Sequence, residues 1–449
     1  MEPQPTYHYY AIVPHMQRPQ LILQMHDDGR WYLPHWEEHE RRFWQSVDHV
    51  NAALWEHFSI RATTLRCLST TYDEQQQATS RMYEMENRSP AAPLPVRSRW
   101  VARDALAGLE MGVPEQREII ATWLDEAETP VHRSRRPWAR RGWLDSTTVW
   151  IRDQLRQRGI TLNEVHQLRT WERSVVLQVR TNAGPLYFKA VPGMFAHEPR
   201  LTAALEEWLP GHFPQLIAAD DQNHWMLMED FGGESLEQVR SIADWERALR
   251  RFAEIQIGLV LRTDDLLALG CPNRPLDQMA TDIDALLDDE HALLIGQDGG
   301  LTVEEAEQLR IRRNELHTLC QELADYAIPL SLEHGDFWAG NVIKTANDFL
   351  YFDWSDSSIA HPFFSLDLFI QDAKDTFADS PEVITQLLDA YLAAWALYRP
   401  IEDLRAAYTI ARTLGPLHHA ISYHRFILPA MTARWEMERM IPFFLKMVL

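Results

Sequence analysis

The stretch from Ser331 to Trp354 constrains this chain more than any other. It is one compact β-prone island in a second half that otherwise reads as helical from Trp245 onward. It runs SLEHGDFWAGNVIK, then a turn at Thr345-Ala-Asn-Asp348, then FLYFDW. Two short apolar runs joined by such a turn predict a hairpin. The loop leading into the hairpin carries His334, Asp336 and Asn341 as H-x-D-x-x-x-x-N, and Asp353 closes the second strand. Further strands are expected near Glu164–Leu168, Val175–Arg180 and Leu186–Val191, the last two joined by Thr181-Asn182-Ala183-Gly184. A small β-rich lobe followed by a large helical lobe predicts an α+β, bilobal arrangement.

These residue types at these spacings suit phosphoryl transfer. A phosphoryl group in transit spreads negative charge over its oxygens, so catalysis is mostly positioning and charge neutralisation. That needs one carboxylate near the acceptor hydroxyl and hard oxygen ligands for Mg²⁺. Asp336, Asn341 and Asp353 supply all three from neighbouring strands.

The same residues resemble the aminoglycoside phosphotransferase and choline kinase group, small-molecule relatives of the protein kinases. The resemblance spans about residues 137 to 449. Tyr187-Phe188-Lys189 looks like the third small-lobe strand, and Glu198 in His197-Glu-Pro-Arg-Leu201 like its helix glutamate. Trp225-Met-Leu-Met-Glu229-Asp-Phe231 resembles the strand and hinge that meet the adenine, and His361-Pro-Phe-Phe-Ser-Leu-Asp367 the segment after the metal aspartate. The resemblance implies ATP and Mg²⁺ as cofactors and a protein-kinase-like fold. It makes Asp336 the base, buttressed by His334, and Asn341 with Asp353 the metal ligands. Lys189 and Glu198 then serve the nucleotide phosphates, and Glu229 and Phe231 the adenine side. Two departures stand out. No G-x-G-x-x-G covers the phosphates, the first turn being Arg169-Thr-Trp-Glu-Arg-Ser174, and Asp353 is followed by Trp-Ser.

Each of these residues alone is more simply read as structure; order and spacing make the pattern. Glu206 and Glu207 compete with Glu198 as partners of Lys189. Trp338 and Trp354 flank the loop, where they either stack on substrate or pack as core. An acceptor below the catalytic loop would lie beside Trp338 and Asp356. His418, His419, Tyr423 and Arg425 either face that pocket or pack between helices.

The first third reads differently. Tyr7–Val13 and Gln20–Met25 are β-prone, Asp27-Asp28-Gly29 marks a hairpin turn, and helices are expected at about Glu37–Phe58 and Pro114–Glu126. Residues 5 to 128 resemble the Nudix fold. Ending its helix register on Ile60 places Glu38, Trp44, Ala52 and Ala53 where the box needs G, E, R and E, with His57 for the last metal glutamate and Ser59 for the glycine. One carboxylate, Glu56, cannot assemble that divalent site, so this module is expected to be non-catalytic. Two runs punctuate the region: Arg88–Pro95 (RSPAAPLP) and the basic His132–Trp143 (HRSRRPWARRGW). The expected division is a Nudix-like module at 1–128, a basic linker at 129–142, a small lobe at 143–232 and a helical lobe at 233–449. After the linker a helix is expected over Asp145–Arg158, with Asp145 its N-cap and Gly159 its end.

Charge bounds the partners. The 449 residues carry 43 Lys+Arg against 65 Asp+Glu, a formal net charge of −22, which repels nucleic acid and anionic lipid. Three separated cysteines, Cys67, Cys271 and Cys320, make neither a disulfide framework nor a zinc site and fit a reducing compartment. No apolar run is long enough to span a bilayer, and Met1–His8 lacks the n- and h-regions of a signal peptide, so a cytoplasmic protein is expected. The function expected is ATP- and Mg²⁺-dependent transfer of the γ-phosphoryl group to a hydroxyl of a small molecule of aminoglycoside, amino alcohol or sugar type, cationic or neutral by the charge balance. The competing readings are a catalytically silent, kinase-like binding or regulatory protein, and Nudix-type hydrolysis of a nucleoside diphosphate derivative. The residues leave the acceptor's identity and the oligomeric state open.

Overall fold

A computed structural model describes residues 5–89, 94–129 and 135–449. The chain is mixed α+β and divides into two compact units, Met1–Ala190 and Val191–Leu449.

The first unit opens with β1 (Thr6–Ile12), β2 (Leu21–Met25), β3 (Trp31–Tyr32), β4 (His35–Glu38), α1 (Asp48–Phe58), β5 (Ala62–Asp73), β6 (Ala78–Asn87), β7 (Ser98–Val101), α2 (Arg103–Leu106) and α3 (Gln116–Ala127). β1 alternates, burying Tyr7, Tyr9 and Ala11, which is the period of a strand with one covered face. It pairs parallel with β6 and antiparallel with β4, giving a sheet ordered β4-β1-β6-β5. A second sheet, β3-β2-β7, turns at Asp27-Asp28-Gly29, where Gly29 takes φ +80°. Ile12, Leu21, Leu23, Ile120, Trp123 and Leu124 fill a core under these strands.

The helix expected from Glu37 begins only at Asp48. His35–Glu38 are drawn into the sheet opposite Tyr7–Tyr10, and the Trp36 ring stacks on Tyr9 at 5.6 Å. Sheet pairing with aromatic contact here outweighs the helical spacing further along.

The unit continues with α4 (Trp143–Arg156) and the meander β8 (Leu162–Thr170), β9 (Val175–Thr181), β10 (Gly184–Ala190), antiparallel throughout. α4 starts two residues before the expected cap. Gly142, in the left-handed region at φ +79°, precedes it, and Asp145 instead pairs with Arg88. β8 lies on the first module. Val47 donates its amide to Leu168 O (2.9 Å), Thr170 to Gln45 O (2.9 Å), and the Gln167 side chain bonds Thr64 and Asn51.

Of the basic stretch expected to be a linker, Pro130–Ser134 lie outside the described residues, as do Pro90–Pro93 of the proline-rich run. Arg135–Gly142 are packed down. Arg135 pairs with Glu84 (3.3 Å) and Glu126 (2.9 Å), Arg136 with Glu172 (3.0 Å), and the Gly142 amide reaches Glu86 (2.6 Å). Trp138 is buried and donates its indole N–H to Trp171 O at 2.8 Å. Clustered like charge resists burial only when it has no counter-charge, and here the glutamates supply it.

The second unit contains α5 (Glu198–Trp208), the antiparallel pair β11 (Leu216–Asp220) and β12 (Trp225–Glu229), β13 (Glu234–Ser235), then α6 (Ile242–Leu259), α7 (Thr263–Ala268), α8 (Leu276–Asp288), α9 (Val303–Ile311) and α10 (Arg313–Asp325). The island follows as β14 (Ser331–Glu333), β15 (Val342–Lys344), β16 (Phe349–Tyr351) and β17 (Ser358–Ala360), and the chain ends in α11 (Leu366–Thr376), α12 (Pro381–Ala394), α13 (Ile401–Ser422) and α14 (Met440–Lys446). The hairpin forms between β15 and β16 with Val342 opposite Tyr351, and β14 pairs with β17. α6 buries Trp245, Leu249, Phe252, Gln256 and Leu259, a three-and-four spacing. α9 begins with a capping box, Thr302 and Glu305 exchanging both bonds.

Candidate active site

β14 delivers the chain to a turn whose residues alternate between roles. His334 is fully buried, Gly335 and Asp336 are half-buried, and Phe337 is buried again. Phe337 stacks on Phe252 of α6 at 3.8 Å and on Phe369 of α11 at 4.9 Å, so the aspartate hangs from a residue held in the core. Burying a phenylalanine contributes about 2 kcal/mol, enough to fix its neighbour's backbone.

His334 closes the turn from within. Its Nδ1 accepts the Asp336 N–H at 3.4 Å, which leaves Nε2 to donate to Phe352 O at 3.1 Å. Burial pushes its pKa down to about 4, against the pull of Glu333 and Asp353, so the ring is neutral. Asn341 donates its amide to Asp336 O (2.8 Å) and Oδ2 (3.3 Å). With Nδ2 so engaged, Oδ1 is the atom Asn341 has to offer a cation. The peptide at Phe352 completes the frame by donating to Asn341 O at 3.2 Å.

Asp353, directly after Phe352, takes the left-handed conformation at φ +66°. A non-glycine residue held there is uncommon and aims its side chain differently from a strand residue. Ser355 Oγ donates to Asp353 Oδ1 at 2.9 Å. Among the described residues, no three His, Cys, Asp or Glu side chains gather in a metal-holding group. Asn341 and Asp353 are one amide and one carboxylate. That set fits Mg²⁺, which keeps water and phosphate oxygens as most of its ligands.

The remaining candidates fall in both units. In the first, Lys189 is buried near the end of β10. In the second, Glu198 is buried at the start of α5. Glu206, its expected competitor, is committed elsewhere, taking the Gly211 amide at 3.1 Å. Glu229 is exposed at the end of β12, and its amide bonds Gln215 O. Phe231 packs on Phe352 at 4.9 Å, joining the end of β12 to the residue before Asp353. Trp354 is core, 4.3 Å from the His334 ring, while Trp338 is half-buried with its ring over Gly340. His418, His419 and Tyr423 are buried on and after α13, with His418 Nε2 3.3 Å from Glu333 and the His419 ring 5.0 Å from Phe444.

Two supporting residues carried no sequence signal. Gln256 donates to Leu332 O and Pro362 O and accepts from Tyr391. Asp372 on α11 accepts the Ala339 N–H at 2.9 Å. Both act on backbone that only the folded chain brings to them.

The turn thus presents a half-buried carboxylate pinned to the core and bonded to an amide, with an aspartate closing the adjoining hairpin. Residues 154–401, more than half of the chain, match the Phosphotransferase enzyme family (APH). The chain belongs to that family, whose members are small-molecule phosphotransferases. Among solved structures it is similar to choline kinase from Cryptosporidium parvum (13% identity, 68% of this chain and 95% of that one, TM-score 0.47). It is also similar to an aminoglycoside phosphotransferase from Streptomyces rimosus (17%, 60% and 97%, 0.38) and to a choline/ethanolamine kinase family protein from Mesorhizobium loti (16%, 67% and 99%, 0.39). No curated protein matches the chain. No helix among the described residues is long and apolar enough to cross a membrane.

Proposed function

We propose that this protein transfers the γ-phosphoryl group of ATP, as its Mg²⁺ complex, to a hydroxyl of a small molecule of aminoglycoside, amino alcohol or sugar type. The observation that carries the reading is the Asp336–Asn341 bond on a turn pinned by Phe337, with Asp353 at the end of the adjoining hairpin. Asp336 takes the proton of the acceptor hydroxyl as its oxygen bonds the γ-phosphorus and the bond from that phosphorus to the β-phosphate oxygen breaks, ADP leaving. Asn341 Oδ1 and the Asp353 carboxylate would hold Mg²⁺, whose charge would offset that of the phosphate oxygens. Neutral His334 keeps the turn in place without adding charge. Lys189 and Glu198 serve the nucleotide phosphates, and Glu229 with Phe231 the adenine side. The expected domain roles go with this reading: a kinase-like small lobe at 143–232, a helical lobe at 233–449, and an acceptor beside Trp338 and Asp356. Residues 1–128 remain a Nudix-like, non-hydrolytic module. In its favour, Ala53 is buried on α1 where the box requires a metal glutamate.

An ATP-consumption screen over aminoglycosides, amino alcohols and sugars identifies the acceptor. With that acceptor, Asp336→Asn should lower kcat by about 10³-fold or more and leave Mg²⁺–ATP affinity unchanged. Asp353→Ala should weaken Mg²⁺-dependent nucleotide binding. Near-wild-type kcat in Asp336→Asn would remove the base assignment, and an unchanged Mg²⁺–ATP titration in Asp353→Ala would move the metal elsewhere.

A further inference from the structure

The carboxylate of Glu333 takes no part in the chemistry above, yet it is fully buried directly beneath the catalytic turn. Four polar groups converge on it. Oε1 accepts the Gly335 N–H at 2.7 Å and the Ser365 hydroxyl at 3.1 Å. Oε2 accepts the Ser358 hydroxyl at 3.4 Å and lies 3.3 Å from His418 Nε2 of α13. A carboxylate has about four acceptor positions, so this one is fully used, and no other side chain of its size offers four.

The charge is also provided for. Arg274 lies within electrostatic reach of Glu333, Asp356 and Asp282, bonds the Ser422 hydroxyl at the end of α13, and stacks 4.6 Å from the Phe426 ring. Burial holds His361, His418 and His419 below the usual histidine range and pushes Asp367 well up, so these neighbours are neutral. Glu333 itself stays ionised; burial works against this, and the hydrogen bonds from His418 and the Gly335 amide prevail.

Gly335 gives the arrangement its consequence. It separates His334 from Asp336 at φ +78°, after β14 has ended, and an added Cβ would stand 2.3 Å from Asp356 O. Residue 335 can carry no side chain of its own to steady the peptide, and the bond from its amide to Glu333 does so. We propose that Glu333 is a positioning residue for phosphoryl transfer: through the Gly335 amide it sets where the Asp336 carboxylate stands, and through His418 it fastens that turn to α13. The proposal rests on the phosphotransferase reading for its kinetic half only.

The test is Glu333→Gln in the full-length protein. Glutamine keeps the shape but loses the charge and replaces one acceptor oxygen with an N–H₂, which cannot accept from the donors converging there. A displacement of the base by about 1 Å costs about 100-fold in rate. The expected result is kcat down by about 100-fold with KM for Mg²⁺–ATP and for acceptor within about 3-fold, and an upfield shift of the Gly335 amide in ¹⁵N-glycine-labelled protein. Ser331→Ala is the control for stability alone. It removes the Ser331–Gln256 bond on the same strand without touching Glu333, so its kcat should hold. If Glu333→Gln does not fold, Ser365→Ala removes a donor from the same oxygen and should lower kcat several-fold at constant KM. Equal loss of kcat in Ser331→Ala, or a fall expressed in KM, would overturn the proposal. The amide is read on the resting protein. A wild type silent toward every acceptor would therefore sink the phosphotransferase reading, while an unmoved Gly335 resonance would sink the role of Glu333.

Discussion

Gln167 on β8 is the residue on which the joining of the first module to the family-matched region can be tested. β5 is the outer strand of its sheet, and an outer strand presents unpaired backbone groups. At Thr64, beside a register shift in β5, Gln167 covers both: its Oε1 accepts the Thr64 N–H at 3.0 Å and its Nε2 donates to Thr64 O at 2.8 Å. The same Oε1 takes the Asn51 amide at 3.1 Å, and Thr64 is fully buried. Gln167→Ala leaves two buried backbone groups without partners, at about 1–3 kcal/mol each. The expected loss is therefore about 4 kcal/mol. For a unit of this size, at about 2–4 °C per kcal/mol, that is on the order of 10 °C in Tm. Urea unfolding followed by tryptophan fluorescence measures it, with the midpoint falling at constant slope. Gln167→Glu is at least as damaging, because it cannot donate to Thr64 O and buries a charge. A loss under about 0.5 kcal/mol in Gln167→Ala would refute the reasoning and make β8 an incidental neighbour of the module.

Burial first, then the nearby Glu237 and Asp375, raise the Asp372 carboxyl to about 6, with the Ala339 amide opposing. A carboxyl raised in the folded state contributes stability that is full below its unfolded pKa of 3.8 and is lost as pH rises through about 6. Asp372→Asn should therefore raise Tm at pH 7.5 and barely change it at pH 4; thermal melts showing equal shifts at both would refute this. Under limited trypsinolysis the bonds after Arg135 and Arg140 should resist cleavage until the first unit unfolds, since Arg135 is held by Glu84 and Glu126 and Trp138 between them is buried. Mass spectrometry showing early cuts at either arginine with the remainder native would reverse that conclusion.

The catalytic turn and hairpin were legible in the sequence because the chemistry fixes both residue type and spacing. Asp336, Asn341 and Asp353 carry the proposed chemistry at a spacing the sequence displays, and Thr345-Ala-Asn-Asp348 turns between the paired strands β15 and β16. Boundaries were less legible where distant residues decide them. Nothing local tells His35–Glu38 that Tyr7–Tyr10 wait to pair with them, nor that Asp145 pairs with Arg88 from inside α4 instead of capping it. The packing of Arg135 and Arg136 was hidden for a related reason: their counter-charges, Glu84, Glu126 and Glu172, come from three distant places in the chain. Glu333 and Gln167 were illegible for a deeper reason. Each satisfies backbone groups, Gly335 N–H or the Thr64 peptide, that a sequence lists identically at every position. Only the fold decides which peptides are stranded from a ladder and which side chain stands over them. A reading by motif finds the groups that touch the substrate, and accounting for every buried N–H and C=O finds the groups that hold them still.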